Sequence, residues 1–295
     1  MHMRVDCGWL FKAVKRTILP DFLLSSIEKL SGVSYPSNLI GRRNVMREDV
    51  AGAKVMVFAA HPDDEVLGLG LTLISHREKE ENVVVVFTTN GSRQKWSDTR
   101  NAKKRYASQR YDEACSALGI IGIPPQNIIS LGFPDAGLRR YMPEAAKDIE
   151  SLIQHFQPEI IYVHALEGGH RDHDVTSFLV QCIGARLAIE RVYEWAEYSR
   201  EALGSKREVD LRFPFDPHVR EFRIWSVVHA DKQCRVKLEM LEKYVSQAYI
   251  TRRFSIREEK LREANSNYLV ERLGYFAELS KARLRYLRAY EISKH

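Results

Sequence analysis

From about residue 54 the chain alternates short apolar runs with longer amphipathic segments, and this pattern constrains the fold more than any other feature. It is typical of βα units in a parallel sheet. Strands are predicted over residues 54–60, 83–89, 127–131, 159–164, 192–198 and 222–229. Helices are predicted over residues 66–79, 103–118, 143–156, 175–189 and 231–246. Since crossovers between parallel strands are right-handed, helices should cover both sheet faces. The pattern predicts an α/β fold, a Rossmann-like three-layer sandwich with a mostly parallel sheet.

The length of 295 residues, 44% of them hydrophobic, allows one large domain or two small ones. No internal repeat or convincing linker divides the chain, so we predict one compact domain over residues 51–255. Helical extensions are predicted over residues 1–50 and 256–295, the second packed on the domain. Residues 200–218 are polar and contain proline, which predicts a loop or lid.

The cysteines and the net charge indicate which cellular compartment and which partners to expect. The four cysteines are far apart and form no CxxC pair, so reduced thiols in a cytoplasmic protein are expected, with neither disulfides nor a thiolate zinc site. A net charge of +6 does not by itself indicate a nucleic-acid partner, and none is expected. The arginine-rich last forty residues are interpreted as helix with a solvated basic face.

The apolar stretch over residues 9–30 is interrupted by charges and a proline, so it does not predict a membrane-spanning helix. Its apolar side chains recur at helical spacing beside basic residues. A helix packed on the domain is the favoured interpretation, and peripheral contact with the inner membrane surface is the alternative. The sequence leaves the oligomeric state open, a homo-oligomer included.

A first polar cluster, Ala60–Glu65 (AHPDDE), directly follows the first predicted strand and precedes a helix. Ligands of open parallel sheets bind outside the carboxyl ends of the strands, which is where this cluster falls. Helix capping is the alternative interpretation, and it accounts for one acid. It does not account for His61, two residues ahead of an acid pair.

A second cluster, Gly168–Asp174 (GGHRDHD), follows the strand predicted over residues 159–164 and opens another helix. Both clusters therefore lie at the same edge of the sheet. Imidazole nitrogens with a carboxylate oxygen suit zinc, and a catalytic zinc ion commonly has three protein ligands. Each cluster alone could be a solvated helix start, but together they make metal binding the leading hypothesis.

These two runs make the chain similar to the PIG-L/LmbE-like zinc-dependent de-N-acetylases over about residues 54–250. The stretch Leu131–Leu138 resembles the substrate loop of that family, and Lys237–Gln247 resembles its late helix. The resemblance implies a hydrolase that removes an N-acetyl group from an N-acetylglucosamine-type sugar or conjugate, either a small molecule or lipid-linked.

The resemblance also implies a ligand set: His61, Asp64 and His173 would bind one zinc ion per chain, or another divalent transition metal. Asp63 would be the general base. His170 would act as the acid or the oxyanion-stabilising group, as an imidazolium ion.

Three further roles follow from the same resemblance. Asp135 would contact sugar hydroxyls, and either Arg105 or Arg110 would bind substrate. Asp172 would orient a histidine, with helix capping as an equal alternative. Some family members carry a tyrosine where this chain has Gly168, so a carbonyl-polarising tyrosine would have to come from elsewhere.

Two other function classes have some support in the sequence. Gly68-Leu69-Gly70 could indicate a nucleotide-binding Rossmann protein, but this pair lacks the third glycine and falls inside a predicted helix, where it favours helix packing. The basic and amphipathic termini could instead belong to a membrane-associated or scaffold protein without catalysis.

Overall fold

A computed structural model of the chain describes residues 52–93, 99–167, 169–197, 224–228 and 230–264. Its strands are β1 (Val55–Ala59), β2 (Val83–Thr89), β3 (Ile128–Phe133), β4 (Ile160–His164), β5 (Arg191–Trp195), β6 (Ile224–Val228) and β7 (Glu258–Glu263). Its α-helices are α1 (Asp64–Glu78), α2 (Arg100–Gly119), α3 (Met142–Phe156), α4 (Arg171–Arg186), α5 (Asp231–Glu242) and α6 (Ala248–Thr251). Short 3-10 turns cover Pro125–Asn127, Leu138–Arg140 and Val245–Gln247.

The seven strands form one sheet in the order β3-β2-β1-β4-β5-β7-β6. The first five in that order pair in parallel, and β7 is antiparallel to both of its neighbours. The predicted α/β fold with a mostly parallel sheet is therefore confirmed. The segments 1–50 and 200–218 and most of 256–295 lie outside the described residues.

The hydrophobic core has two halves, one on each face of the sheet. Alternate residues of β1, such as Met56 and Phe58, pack with α3 and α4. The residues between them, such as Val55 and Val57, pack with α1, α2 and α5. Because both faces are covered, β1 and β2 are buried along their whole length, which explains their uninterrupted apolar sequences.

The prediction of helix from residue 256 is wrong for Glu258–Glu263, which forms β7 inside the sheet. The domain therefore extends past the predicted boundary at residue 255. This strand reads EEKLRE, and two of its charges are buried in ion pairs. Glu259 pairs with Lys237 at 2.7 Å, and Arg262 pairs with Glu194 at 2.5 Å. Paired charges can occupy a core position that the sequence pattern alone would assign to the surface.

The two glycines in α1 serve close packing. A Cβ atom on Gly68 would lie 2.1 Å from Cδ1 of Trp195, and one on Gly70 would lie 3.0 Å from Cγ of Lys237. The packing interpretation is confirmed, and the glycine pair gives no support to a nucleotide site. Among the described residues, no helix combines the length and apolarity that crossing a membrane requires.

Candidate metal centre

Both polar clusters lie at the carboxyl edge of neighbouring strands. His61 follows β1 and His173 lies in the first turn of α4, shortly after β4. Strands β1 and β4 are paired in parallel, with Phe58 opposite Val163. The sheet order thus brings the two predicted motifs together, as a shared site requires.

The predicted ligand set converges to a small triangle of donor atoms. His61 Nδ1 lies 3.2 Å from Asp64 Oδ2, His173 Nε2 lies 3.3 Å from the same oxygen, and the two nitrogens are 3.3 Å apart. Ligands at ~2.0–2.1 Å from a tetrahedral zinc ion are about 3.3–3.4 Å from each other. The three side chains therefore fit a zinc-sized ion without rearrangement.

Electrostatics also favour a cation at Asp64. Burial alone would raise the pKa of this carboxyl group, but the imidazoles of His173 and His61 outweigh burial and lower the pKa well below its usual range. Burial and the nearby His164 lower the pKa of His173 to about 3, so this ring is neutral, as a metal ligand must be. Burial opposes a charge on His61, but Asp135 and Asp64 outweigh it and raise the pKa of His61 well above normal. Metal binding at His61 would therefore release a proton.

A second donor group overlaps the first and adds two residues that the sequence analysis missed. His164, the last residue of β4, and Glu197, just after β5, lie with Asp64 and His173 in a buried group of four. His164 Nε2 already accepts a hydrogen bond from the Ala60 N–H at 2.9 Å. Neither His164 nor Glu197 lines the cavity that opens onto the triangle. We therefore assign them as supports behind the ligands.

The contacts of His164 fit that supporting role. Its ring stacks on His173 with centroids 3.8 Å apart, and its Nε2 lies 3.3 Å from Asp64 Oδ2. Its Nδ1 faces Glu197 Oε2 at 3.4 Å, and the same oxygen accepts a hydrogen bond from Trp195 Nε1 at 3.0 Å. Burial and the neighbouring Asp64 raise the pKa of Glu197 well above normal, which favours a neutral acid.

Asp172 connects the second motif to the predicted substrate loop. Its carboxylate accepts hydrogen bonds from the N–H groups of Ala136 at 2.6 Å and Leu138 at 3.3 Å, and one of its oxygens lies 3.4 Å from His61 Nε2. Metal-bound imidazoles commonly direct their second nitrogen to a carboxylate, so the orienting role has geometric support. The capping alternative is wrong, because His170 is the N-cap of α4 and accepts from the Asp172 N–H.

The loop residue Asp135 reaches the same histidine. Its Oδ1 lies 3.4 Å from His61 Nε2, and its Oδ2 accepts a hydrogen bond from the Arg93 N–H at 3.0 Å. Burial would raise the pKa of Asp135, but His61 and Arg110 outweigh it and lower the pKa below normal. A charged carboxylate thus lies beside His61 in the wall of the cavity.

Asp63 has a strained backbone. Its φ of 140° is a conformation that side-chain-bearing residues rarely adopt, and such strain costs about 1–3 kcal/mol. Asp63 occupies the N-cap position of α1 and Asp64 and Glu65 form an acidic first turn, but the Asp63 side chain makes no cap hydrogen bond, so capping does not account for its carboxylate. Its carboxylate instead accepts from Arg110 Nη2 at 2.5 Å, and its N–H donates to Glu65 Oε2 at 3.0 Å. Burial raises the pKa of Asp63 to about 7, although the Arg110 guanidinium opposes this rise.

The two candidate substrate arginines occupy opposite sides of α2. Arg110 is buried and also donates to the carbonyl oxygens of Pro62 at 2.6 Å and Gly91 at 3.2 Å. Arg105 is exposed and lines a separate groove, so its assignment to the substrate site is wrong. Five helical residues correspond to a rotation of about 140°, which places the two side chains on different faces.

His170 lies beside the triangle, with its ring centroid 4.6 Å from that of His61 and 4.8 Å from that of His173. Burial together with these two imidazoles lowers the pKa of His170 to about 3. In the protein without metal this shift favours a neutral ring over the expected imidazolium. Its Nδ1 accepts from the Asp172 N–H at 3.3 Å, so the free proton position is Nε2.

A cavity of about 640 Å³ opens onto the donor triangle. Its wall away from the triangle comes from α2 and from residues 246–250, which lie partly in the predicted late helix. The lining residues outside the two motifs are Arg93, Tyr106, Arg110, Asp135, Ser246, Gln247, Tyr249 and Ile250.

Two tyrosines, Tyr106 and Tyr249, line this wall of the cavity. The Tyr106 hydroxyl accepts from Gln247 Nε2 at 2.6 Å and donates to the Ser246 carbonyl at 3.4 Å. Tyr249 is 56% exposed at the cavity. Gly168 itself lies outside the described residues.

The chain matches a known protein family over part of its length. The family model described as PIG-L, GlcNAc-PI de-N-acetylase, matches residues 56–183, which span β1 to most of α4. The resemblance drawn from the two motifs is confirmed by this match, which contains both of them.

Individual relatives agree with this assignment. The 1D-myo-inositol 2-acetamido-2-deoxy-alpha-D-glucopyranoside deacetylase 1 of Saccharopolyspora erythraea is 24% identical over 240 residues, which cover 67% of this chain and 78% of the relative. The crystal structure of the A40926 pseudoaglycone deacetylase Dbv21 has a TM-score of 0.54 and 17% identity, covering 72% of this chain and 96% of that one. The N,N'-diacetylchitobiose deacetylase from Pyrococcus horikoshii has a TM-score of 0.50 and 17% identity, covering 81% and 91%. The structural likenesses confirm the fold.

Proposed function

We propose that this protein is a metal-dependent deacetylase that hydrolyses the N-acetyl group of an N-acetylglucosamine-type sugar or conjugate. The observation that carries the proposal is the triangle of donor atoms in His61, Asp64 and His173, which has zinc-sized spacing and lies at the floor of an open cavity. The family match and the deacetylase relatives support the reaction class.

One metal ion per chain, zinc or another divalent transition metal, would be held by these three side chains. When bound, such an ion supplies Lewis-acid polarisation of a carbonyl oxygen and makes water a stronger acid. Both effects are needed because an amide is a poor electrophile and neutral water a poor nucleophile.

Asp63 is the proposed general base. Its carboxylate lines the cavity next to the ligand Asp64, and Arg110 fixes it in place. It would take a proton from the attacking water and later return that proton to the departing amine nitrogen. The C–N bond breaks as the new C–O bond is retained, so acetate and a free amine leave.

His170 would donate its Nε2–H to the developing oxyanion as a neutral imidazole, since its Nδ1 is already an acceptor. Asp135 is the proposed contact for sugar hydroxyls, because a charged carboxylate at the cavity wall is a strong acceptor. Arg110 would act on the substrate indirectly, through the position of Asp63.

Metal analysis and an amine-release assay test the proposal together. Purified protein is analysed for metal by plasma emission, and amine release from N-acetylglucosamine and its glycosides is measured before and after chelation. We expect about one metal ion per chain and amine release that chelation abolishes and zinc restores. If the purified protein contains no metal and adding zinc produces no amine release, the proposal is wrong.

A lipid-linked substrate remains an extension of the same proposal, to be compared with soluble glycosides in the same assay. Peripheral membrane contact, a cytoplasmic location and a homo-oligomer stay predictions from the sequence.

A further inference from the structure

We propose that Glu65 and Tyr244 are positioning residues that hold Asp63 in its strained backbone conformation and so keep its carboxylate aimed at the cavity. The inference rests on the proposed role of Asp63 as the base. It assigns a function to a buried acid and a buried tyrosine that neither bind the metal nor line the cavity.

Two hydrogen bonds link Tyr244, Glu65 and the backbone of Asp63. The Tyr244 hydroxyl donates to Glu65 Oε1, and the Asp63 N–H donates to Glu65 Oε2 at 3.0 Å. Glu65 and Tyr244 are both fully buried, so neither side chain can exchange its partner for bulk water. These hydrogen bonds connect the start of α1 to the segment just after α5.

Asp63 is thus restrained from two sides. Glu65 holds its backbone N–H from behind, and Arg110 holds its carboxylate from the side of α2. A residue at φ 140° persists only where its surroundings over-determine its conformation. Removing the Glu65 contact would let the peptide relax and carry the carboxylate away from its working position.

The chemistry of the contact dictates what residue 65 must be. The Asp63 N–H can only donate, so position 65 must present an acceptor to it. The Tyr244 hydroxyl can donate or accept, so it can adapt to the other atom of the side chain. Glutamine would therefore serve, with its oxygen toward Asp63 and its amide nitrogen toward Tyr244. Methionine, of similar length, would not.

The first experiment compares Glu65→Gln, Glu65→Met and Tyr244→Phe in the full zinc-loaded chain, with N-acetylglucosamine as substrate. We expect Glu65→Met to lower kcat about 10²-fold, as a misplaced catalytic group does, with KM and metal content unchanged. Tyr244→Phe should lower kcat by a smaller factor, and Glu65→Gln should retain most of it. Tyr111→Phe is the matched control, because its buried hydroxyl bonds the Ile128 carbonyl away from the cavity.

Three outcomes would overturn the inference: unchanged kcat in Glu65→Met, equal losses in Glu65→Gln and Glu65→Met, or a loss in Tyr111→Phe as large as in Tyr244→Phe. Asp63→Asn separates the two proposals. If that variant keeps full activity, the base role of Asp63 fails, whereas the proposed function fails only if the unaltered zinc-loaded protein releases no amine. If it is inactive while Glu65→Met is not, only the positioning role fails.

A stability measurement tests the same restraint without any substrate. Glu65→Met is expected to lower Tm, and to lower it more when Asp63 has been replaced by glycine, because the Asp63 peptide recovers its strain energy on relaxing and glycine has none to recover. Equal Tm losses in the two backgrounds would contradict the positioning role, whatever the activities are.

Discussion

The two loops that build the site hold their side chains in different ways. The β1–α1 loop places Asp63 at a φ of 140°, where Arg110 of α2 and Glu65 bond it and Tyr244, after α5, bonds Glu65 in turn. The β4–α4 loop has an ordinary extended residue, His170 at φ −123°, and presents His173 from a regular first helical turn. The proposed ligand His173 is placed by helix geometry alone, whereas the proposed base Asp63, next to a proposed ligand, is held by external contacts that direct it elsewhere.

The largest effect is expected at His173, the proposed ligand in the first turn of α4. We expect His173→Ala to lose both metal and amine release, because one of three donors disappears while the helix remains intact. Metal content by plasma emission and kcat check this prediction. His155→Ala, an exposed histidine on α3, should change neither. Full metal occupancy with normal activity in His173→Ala would rule out the ligand set.

Asp63→Asn should spare the metal and remove the base. We expect a loss of about 10²–10⁴-fold in kcat, the usual contribution of general-base catalysis, with metal content unchanged. Asp112→Asn, at an exposed position of α2, is the matched control. Metal loss in Asp63→Asn would show that the roles of the two adjacent aspartates are reversed.

Asp172→Asn tests the connection between the loops. We expect metal affinity to fall about 10–100-fold, because asparagine loses the charge facing His61 and keeps an acceptor for only one of the Ala136 and Leu138 N–H groups. Competition with a zinc-binding dye measures the affinity. An unchanged affinity would show that Asp172 serves the loop alone.

The smallest effect concerns backbone strain. Asp63→Gly should be more stable than Asp63→Ala by about 1 kcal/mol, since only glycine adopts this φ without cost. At Asp112, inside α2, the order should reverse by a similar amount. Thermal unfolding of the four variants checks both signs, and the same sign at both positions would refute the strain.

The sequence predicted the parallel part of the fold because buried parallel strands consist of continuous apolar runs. The strand β2 has the predicted bounds, Val83–Thr89. The strand β7 was missed because its charged sequence is buried only through ion pairs with Lys237 and Glu194, which no local pattern reveals.

The same contrast applies to the site. The two motifs predicted which residues meet at the sheet edge, but His164, Glu197 and Tyr244 resemble ordinary strand-end and helix residues in sequence. One miss was avoidable. Arg110 shares the buried face of α2 with Ala107 and Ala114, so helical spacing already separates it from Arg105.

The long-range bonds of α1 also set an order of assembly. Leu71 and Thr72 in the middle of this helix donate to Glu259, 188 and 187 residues further along the chain. At roughly 5–20 residues per second, a ribosome reaches Glu259 about 10–40 s after the first motif. During that interval the first motif, Ala60–Glu65, precedes a helix that still lacks its hydrogen bonds to Glu259. A chain cut before β7 would therefore keep every proposed metal ligand and still lack the bonds that fix their helix.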